Sequence, residues 1–275
     1  MRLPDRPRVV ITGAASGLGR ALALELAVRR ARILIADIDE PGAQETASSV
    51  REVGAEAHVV RCDVSKSDEV IALVGEADRA IGGVDMLINN AGVAVGGPVG
   101  EVPLADWEWM MGINLWGVIY GCHAFVPRFK QQRRGAILNV ASAAGLLSIP
   151  SLAPYNVSKA GVVALSETLC AELASEGITV TVLCPTFFKT NIASSARSHG
   201  KGATGPEFIE RLMTSAKIQA DGVARAAIAA VEAGHLYAVP HEDGRWYWRL
   251  KRAAPESFYK RLFPHLARRA AKRGA

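Results

Sequence analysis

The sequence predicts an α/β fold, a doubly wound parallel sheet of seven strands with helices on both faces. Short apolar runs alternate with longer amphipathic stretches almost from the first residue, an order that builds right-handed strand–helix–strand units. The runs are continuous and rich in Val and Ile, as strands buried on both faces must be. A glycine-rich turn joins the first run to the first helical stretch.

The strand-like runs are Val9–Ile11, Ile33–Ala36, Ala57–Arg61, Met86–Ile88, Ala136–Val140, Thr179–Leu183 and Leu236–Val239. Between them, Leu18–Arg29, Ala43–Val53, Asp68–Ala80, Trp107–Lys130, Val157–Ser175 and Ala220–Ala233 carry apolar residues at three- and four-residue steps, the helical period. The predicted domain covers residues 1–240, and its one long break is the small, polar, Gly-containing segment Ser194–Gly205, expected to be a surface loop. Residues 241–275 form a basic aromatic extension with weak helical patterning, interrupted by Pro255 and Pro264.

Charge follows the same division. The chain of 275 residues carries +5 overall, with 49% hydrophobic residues, 21% charged and 26 glycines. From Arg245 onward ten Lys and Arg face the single acid Glu256, a segment charge of +9 that leaves −4 for the first 244 residues. Three readings of the extension follow: packing on the body or on another subunit, peripheral contact with an anionic membrane, or nucleic-acid contact, the last resting on charge alone and not expected. Cys62, Cys122, Cys170 and Cys184 lack metal-ligand or disulfide-framework spacing, so no metal is expected and they read as reduced. Without an 18-residue apolar run or a signal-peptide pattern, a cytoplasmic protein is expected.

The first strand runs into Thr12-Gly13-Ala14-Ala15-Ser16-Gly17-Leu18-Gly19 and then a helix. Such a turn lets a pyrophosphate approach the backbone and meet the N–H groups and dipole of the helix start. Asp37 closes the second strand, 18 residues past Gly19, where a carboxylate accepts from ribose hydroxyls and repels a 2′-phosphate. No cation occupies Ser16 or Ile38, which favours NAD over NADP. Asp63 either meets the adenine or N-caps the helix starting near Lys66.

Tyr155 and Lys159 are one helical turn apart on one face. A phenol ionises near pH 10, and a neighbouring ammonium lowers that value, which would make Tyr155 an acid–base group. Singly, Ser142 reads as a turn serine past a strand, Asn114 as a helix amide and Lys159 as a solvated cation. In register with Asn89-Asn90-Ala91-Gly92, Ser142 and Asn114, the pair resembles the short-chain dehydrogenase/reductase family, in its compact single-domain branch, over roughly Val9 to Val239.

That resemblance implies a Rossmann-type domain and a nicotinamide-dependent oxidoreductase acting on a small-molecule alcohol or ketone. It implies a catalytic set of Asn114, Ser142, Tyr155 and Lys159. Tyr155 is then the acid–base, Ser142 a hydrogen-bond donor to the substrate oxygen, and Lys159 a ribose ligand that lowers the tyrosine pKa. Asn114 disturbs its helix and holds a water for a proton relay. Gly13, Ser16, Gly17, Leu18 and Gly19 hold the pyrophosphate, Asp37 and Ile38 the ribose, Asp63 and Val64 the adenine, with Asn90, Ala91 and Gly92 alongside. Pro185, Phe188 and Thr190 approach the carboxamide. Thr186 replaces the family's glycine, and a β-branched residue resists φ > 0, so a reshaped turn is expected there. Residues Ile192 to Ala216 correspond to a substrate lid, and the long helices to a homodimer or homotetramer interface. The predicted substrate walls (Val93–Gly97, Ala143–Leu147, Leu152, Phe187 and Phe188) are mostly apolar, which suggests an apolar substrate. The alternative is an NAD(P)-binding regulatory or scaffold protein of the same fold without turnover.

Overall fold

The computed structural model describes residues 3–189, 192, 196–200, 214 and 216–264. At its centre β1 (Arg8–Thr12) lies between β2 (Arg32–Asp37) and β4 (Met86–Asn89), all parallel. With β3 (Glu56–Arg61), β6 (Gly135–Val140), β7 (Ile178–Leu183) and β9 (Tyr237–Ala238) they make one seven-stranded sheet of order β3-β2-β1-β4-β6-β7-β9. The order reverses between β1 and β4, and at such a switch point the loops after the strands diverge and open a crevice. Every residue of β4 and β6 is buried, because helices cover both faces.

The helices fall where the 3.6-residue period puts them. α1 (Gly17–Ala27) follows β1 and packs beside α8 (Ala220–Glu232) on one face. α2 (Glu40–Glu52) starts at Asp39, whose side chain accepts from the Gly42 N–H, with Pro41 in the first turn, where its missing N–H costs nothing. α3 (Ser67–Ile81) lies on the opposite face, ahead of a long stretch that the structure divides into two pieces. Those pieces are α4 (Leu104–Met111) and α5 (Gly117–Gln132), and between them Gly112–Trp116 widens into a π-helical turn. After β6 comes the five-residue α6 (Ala143–Leu147), then α7 (Ala153–Glu172). No described helix is long and apolar enough to cross a membrane.

One pairing was not predicted, and the extension is more helical than its weak patterning suggested. Val95–Gly96 (β5) pairs in parallel with Arg197–Ser198 (β8), a two-residue patch that ties the loop after β4 to the segment beyond β7. The extension past Pro240 folds as α9 (Glu242–Ala253), α10 (Pro255–Ser257) and a π turn over Phe258–Leu262. Pro255 opens α10 rather than ending a helix, and Phe258 is only 2% exposed, in the core cluster that includes Leu146, Leu147 and Val162. Of the three readings of the extension, its described part packs on the body.

Candidate functional site

The glycine turn takes the backbone shape that its composition allows. Gly13 and Gly17 have φ of +67° and +54°, in the left-handed region that side chains resist. A Cβ on Gly13 would lie 2.5 Å from Ala91 Cα, and one on Gly19 would lie 2.2 Å from the Gly13 carbonyl oxygen. Asn90 closes the assembly from β4, its Nδ2 donating to the carbonyls of Thr12 and Gly13 at 3.0 and 2.6 Å. Thr12, which the sequence did not single out, accepts at Oγ1 from the N–H groups of Asn90 and Ala91. At the start of α1, Ser16 makes no side-chain cap and the first turn holds no acid. The N–H groups of Gly17, Leu18 and Gly19 therefore face outward without an intrahelical acceptor, an arrangement suited to a phosphate.

Asp37 lies at the end of β2, its Oδ2 accepting from Ala15 N–H at 2.7 Å and its Oδ1 from Asp39 N–H at 3.0 Å. Those bonds aim the carboxylate at the edge of the turn, with Ile38 exposed beside it. The cation nearest the turn, Arg20, is committed to the Ala15 and Gly42 carbonyls, Thr46 Oγ1 and Glu45. Asp63 does not cap α3, whose N-cap position is Lys66. It instead fixes its own turn, with Oδ1 accepting from the N–H and hydroxyl of Ser65, beside the buried Val64.

Asn114, Ser142, Tyr155 and Lys159 come together beyond β4 and β6. Asn114 sits in the π turn, fully buried, and pairs with both backbone groups of Val93: Oδ1 accepts from its N–H at 2.8 Å and Nδ2 donates to its carbonyl at 2.9 Å. Widened turns of this kind expose backbone carbonyls that a regular helix would bond internally. A Cβ on Gly92 would sit 3.2 Å from Asn114 Oδ1 and 3.5 Å from Lys159 Nζ, so this glycine keeps open the space between amide and ammonium. Ser142 is the N-cap of α6, its hydroxyl accepting from Ala144 N–H at 3.1 Å. A Cβ on Gly145, one turn further, would lie 2.6 Å from the Lys159 carbonyl, so this glycine lets α6 press onto α7 beside Lys159.

Lys159, 2% exposed, donates to the Val140 carbonyl at 2.8 Å, and its Nζ lies 5.8 Å from the centre of the Tyr155 ring. Burial pulls its pKa down to about 8. Burial also dominates at Tyr155, raising its pKa above the ordinary phenol value, while a hydrogen bond with Ser142 acts the other way. The lowering expected from Lys159 does not emerge in the protein alone; the opposing effect comes from Ser142. Burial thus favours the neutral phenol.

On the far side of the cleft, Thr186 keeps a negative φ, so the turn follows a path that a β-branched residue can take. Its N–H donates to His241 Nδ1 at 3.2 Å. Phe188 is not a cavity wall: its side chain is buried in the core and its ring stacks on His241, leaving only its backbone for a ligand. Thr190 and most of the expected lid lie outside the described residues. The described part of that segment is clamped by Asp106, which sequence reading missed: its carboxylate meets Arg197 and His199 at 2.5 Å each, and Arg197 stacks 3.7 Å over Trp109. The Arg197 hydrogen bond holds the Asp106 carboxyl below the usual carboxylate range.

Comparison with known proteins agrees with this geometry. The short chain dehydrogenase family model matches residues 7–201. A 3beta-hydroxysteroid dehydrogenase of Eggerthella lenta is 37% identical over 187 residues, covering 67% of this chain and 71% of that one. A short chain dehydrogenase/reductase from Burkholderia phymatum, solved in complex with NAD, superposes with a TM-score of 0.88 at 36% identity, over 93% of this chain and 96% of that one. A short-chain dehydrogenase from Sphingobium yanoikuyae in complex with NADPH gives 0.75 at 27% identity, over 92% and 96%. The glycine turn, the uncapped start of α1 and Asp37 suit a nicotinamide dinucleotide, and these neighbours support one. The chain belongs to the short-chain dehydrogenase family of oxidoreductases.

Proposed function

We propose that this protein is an NAD-dependent dehydrogenase that interconverts an apolar secondary alcohol and its ketone. The observation that carries this reading is the convergence of Tyr155, Ser142, Lys159 and Asn114 around the space kept open by Gly92. The nicotinamide, when bound, supplies or accepts the hydride. Tyr155 gives a proton to the substrate oxygen in reduction and takes it in oxidation, while Ser142 donates to the same oxygen and steadies the charge that builds there. Lys159 holds the nicotinamide ribose, and the π turn at Asn114 holds a water that links Lys159 to solvent. Tyr155, with Val93, Trp107 and Trp109, packs on the apolar cluster of Val95, Val102 and Met110, and of the described basic residues around it Lys159 is bonded to the Val140 carbonyl while Arg197 and His199 are held by Asp106. These surroundings favour a substrate without charge. An NAD-coupled screen running from polar polyols to large apolar secondary alcohols tests the proposal: oxidation confined to the apolar members is expected, and activity confined to polyols would overturn the substrate class. Absence of any turnover with either nucleotide would favour the regulatory reading.

The preference for NAD rests on Asp37 and on the absence, among the described residues, of an uncommitted cation beside it. Asp37→Asn keeps oxygen and N–H in place but removes the charge that repels a 2′-phosphate. The ratio of kcat/KM for NADP to that for NAD is expected to rise about tenfold or more, since a juxtaposed like charge costs several kcal/mol. An unchanged ratio would show that Asp37 does not choose the nucleotide. Trp116 and Val157, each 49% exposed on the long-helix face, suit a homodimer or homotetramer, which light scattering on the eluting protein would measure.

A further inference from the structure

We propose that the extension beyond Pro240 is part of the cofactor site, and that His241 is the residue through which it positions the strand-end segment Thr186–Phe188. The inference rests on the reading above, in which that segment faces the nicotinamide carboxamide. His241 is only 6% exposed and makes three contacts. Its Nδ1 accepts from Thr186 N–H at 3.2 Å, its Nε2 donates to the Ile218 carbonyl at 3.2 Å, and its ring stacks on Phe188 with centres 6.2 Å apart and planes 25° from parallel. An acceptor at one nitrogen and a donor at the other require the neutral ring with the proton on Nε2.

The two chain segments are shaped to each other. A Cβ on Gly244 would lie 2.8 Å from Thr186 Cγ2, so the glycine leaves room for the threonine methyl. Thr186 Oγ1 lies 3.5 Å from Asp243 Oδ1. The residue that departs from the family pattern is thus the one that the extension grips.

His241 also stands on a fixed base. It is the N-cap residue of α9, and α9 and the turn after it are tied to the body at the other end. Lys251 Nζ donates to the Leu146 carbonyl at 2.6 Å and Tyr259 OH to the Leu147 carbonyl at 2.8 Å, both in the helix that Ser142 caps. Trp248 packs on Tyr237, with ring centres 4.7 Å apart. The extension therefore bridges the Ser142 helix and the nicotinamide segment, on either side of the cleft.

The test compares binding of NADH with binding of ADP-ribose, which lacks the nicotinamide ring, by fluorescence and calorimetry on the full chain. His241→Ala is expected to weaken NADH about fivefold, the scale of one or two hydrogen bonds, and to leave ADP-ribose binding unchanged. His241→Asn, which still offers Thr186 an acceptor, is expected to recover most of the loss. Equal changes for the two ligands, or no change for either, overturn the proposal. If the alanine variant fails to fold, His241→Phe, which keeps a ring over Phe188 and loses both hydrogen bonds, carries the same comparison. Wild-type protein that binds ADP-ribose but gains nothing from the nicotinamide ring would overturn this inference alone. Binding of neither ligand would overturn the dehydrogenase reading beneath it.

Discussion

Tyr155→Phe is expected to lower turnover by roughly 10³-fold or more, within the range that a positioned general acid–base contributes or slightly beyond it, with little change in folding or in NADH binding. The phenyl ring would keep the packing against the cluster of Val95, Val102 and Met110, so only the hydroxyl is removed. In the proposed reaction that hydroxyl carries the proton beside Ser142, and Lys159 would not replace it, because its ammonium is turned to the Val140 carbonyl. The wild-type pH dependence should carry the same signature. With the phenol pKa raised by burial, the neutral form persists through the neutral range, so the proton needed for ketone reduction is available there. Alcohol oxidation needs the phenolate, and its rate should climb as pH rises. Single-turnover rates in both directions, with and without the hydroxyl, measure this. A variant that retains more than about a tenth of wild-type turnover would remove Tyr155 from the proton transfer.

The parts of the fold that sequence reveals are those fixed by local pattern. Val9–Ile11 and Ile33–Ala36 lie in strands because no helix places three or four consecutive apolar residues on one face, and the structure extends each run by only a residue or so at its ends. The glycine turn and the Tyr155–Lys159 pair were visible because a tight phosphate turn and a one-turn spacing are sequence-local. What remained hidden depends on residues distant along the chain. Asp106 gives no sign that it holds Arg197 and His199, more than ninety positions away. His241 is a lone histidine after a strand until Thr186 is placed against it. The prolines of the extension suggested broken helix, whereas Pro255 at a helix start segments the chain and lets Phe258 turn inward. The π turn at Asn114 left no periodicity signal, since one extra residue per turn over five residues barely shifts an apolar stripe.

Lys159→Met should produce an inactive protein that is more stable than the wild type near neutral pH. The sign follows from the direction of the lysine shift. Its folded pKa, about 8, lies below the ordinary lysine value of 10.5, so between those values the unfolded chain binds more protons. Stability therefore rises as pH climbs from about 8 to 10.5, and below about 8 the buried ammonium imposes its full cost. At 1.36 kcal/mol per pH unit that cost is about 3 kcal/mol as an upper bound. Losing the hydrogen bond to Val140 returns about 1–2 kcal/mol of it. A net gain of roughly 1–2 kcal/mol should raise the melting temperature by a few degrees in a chain of this size. Denaturant unfolding at pH 7 and again near pH 10 separates this origin from simple repacking: the advantage of Met over Lys should shrink at the higher pH, where the lysine is neutral when folded and increasingly neutral when unfolded. An advantage that is the same at both pH values would mean that the charge at Lys159 was never the cost. If it shrinks while turnover is lost, the buried ammonium is a strain that the fold retains for the reaction, and Val140, Gly92 and Gly145 are the neighbours that accommodate it.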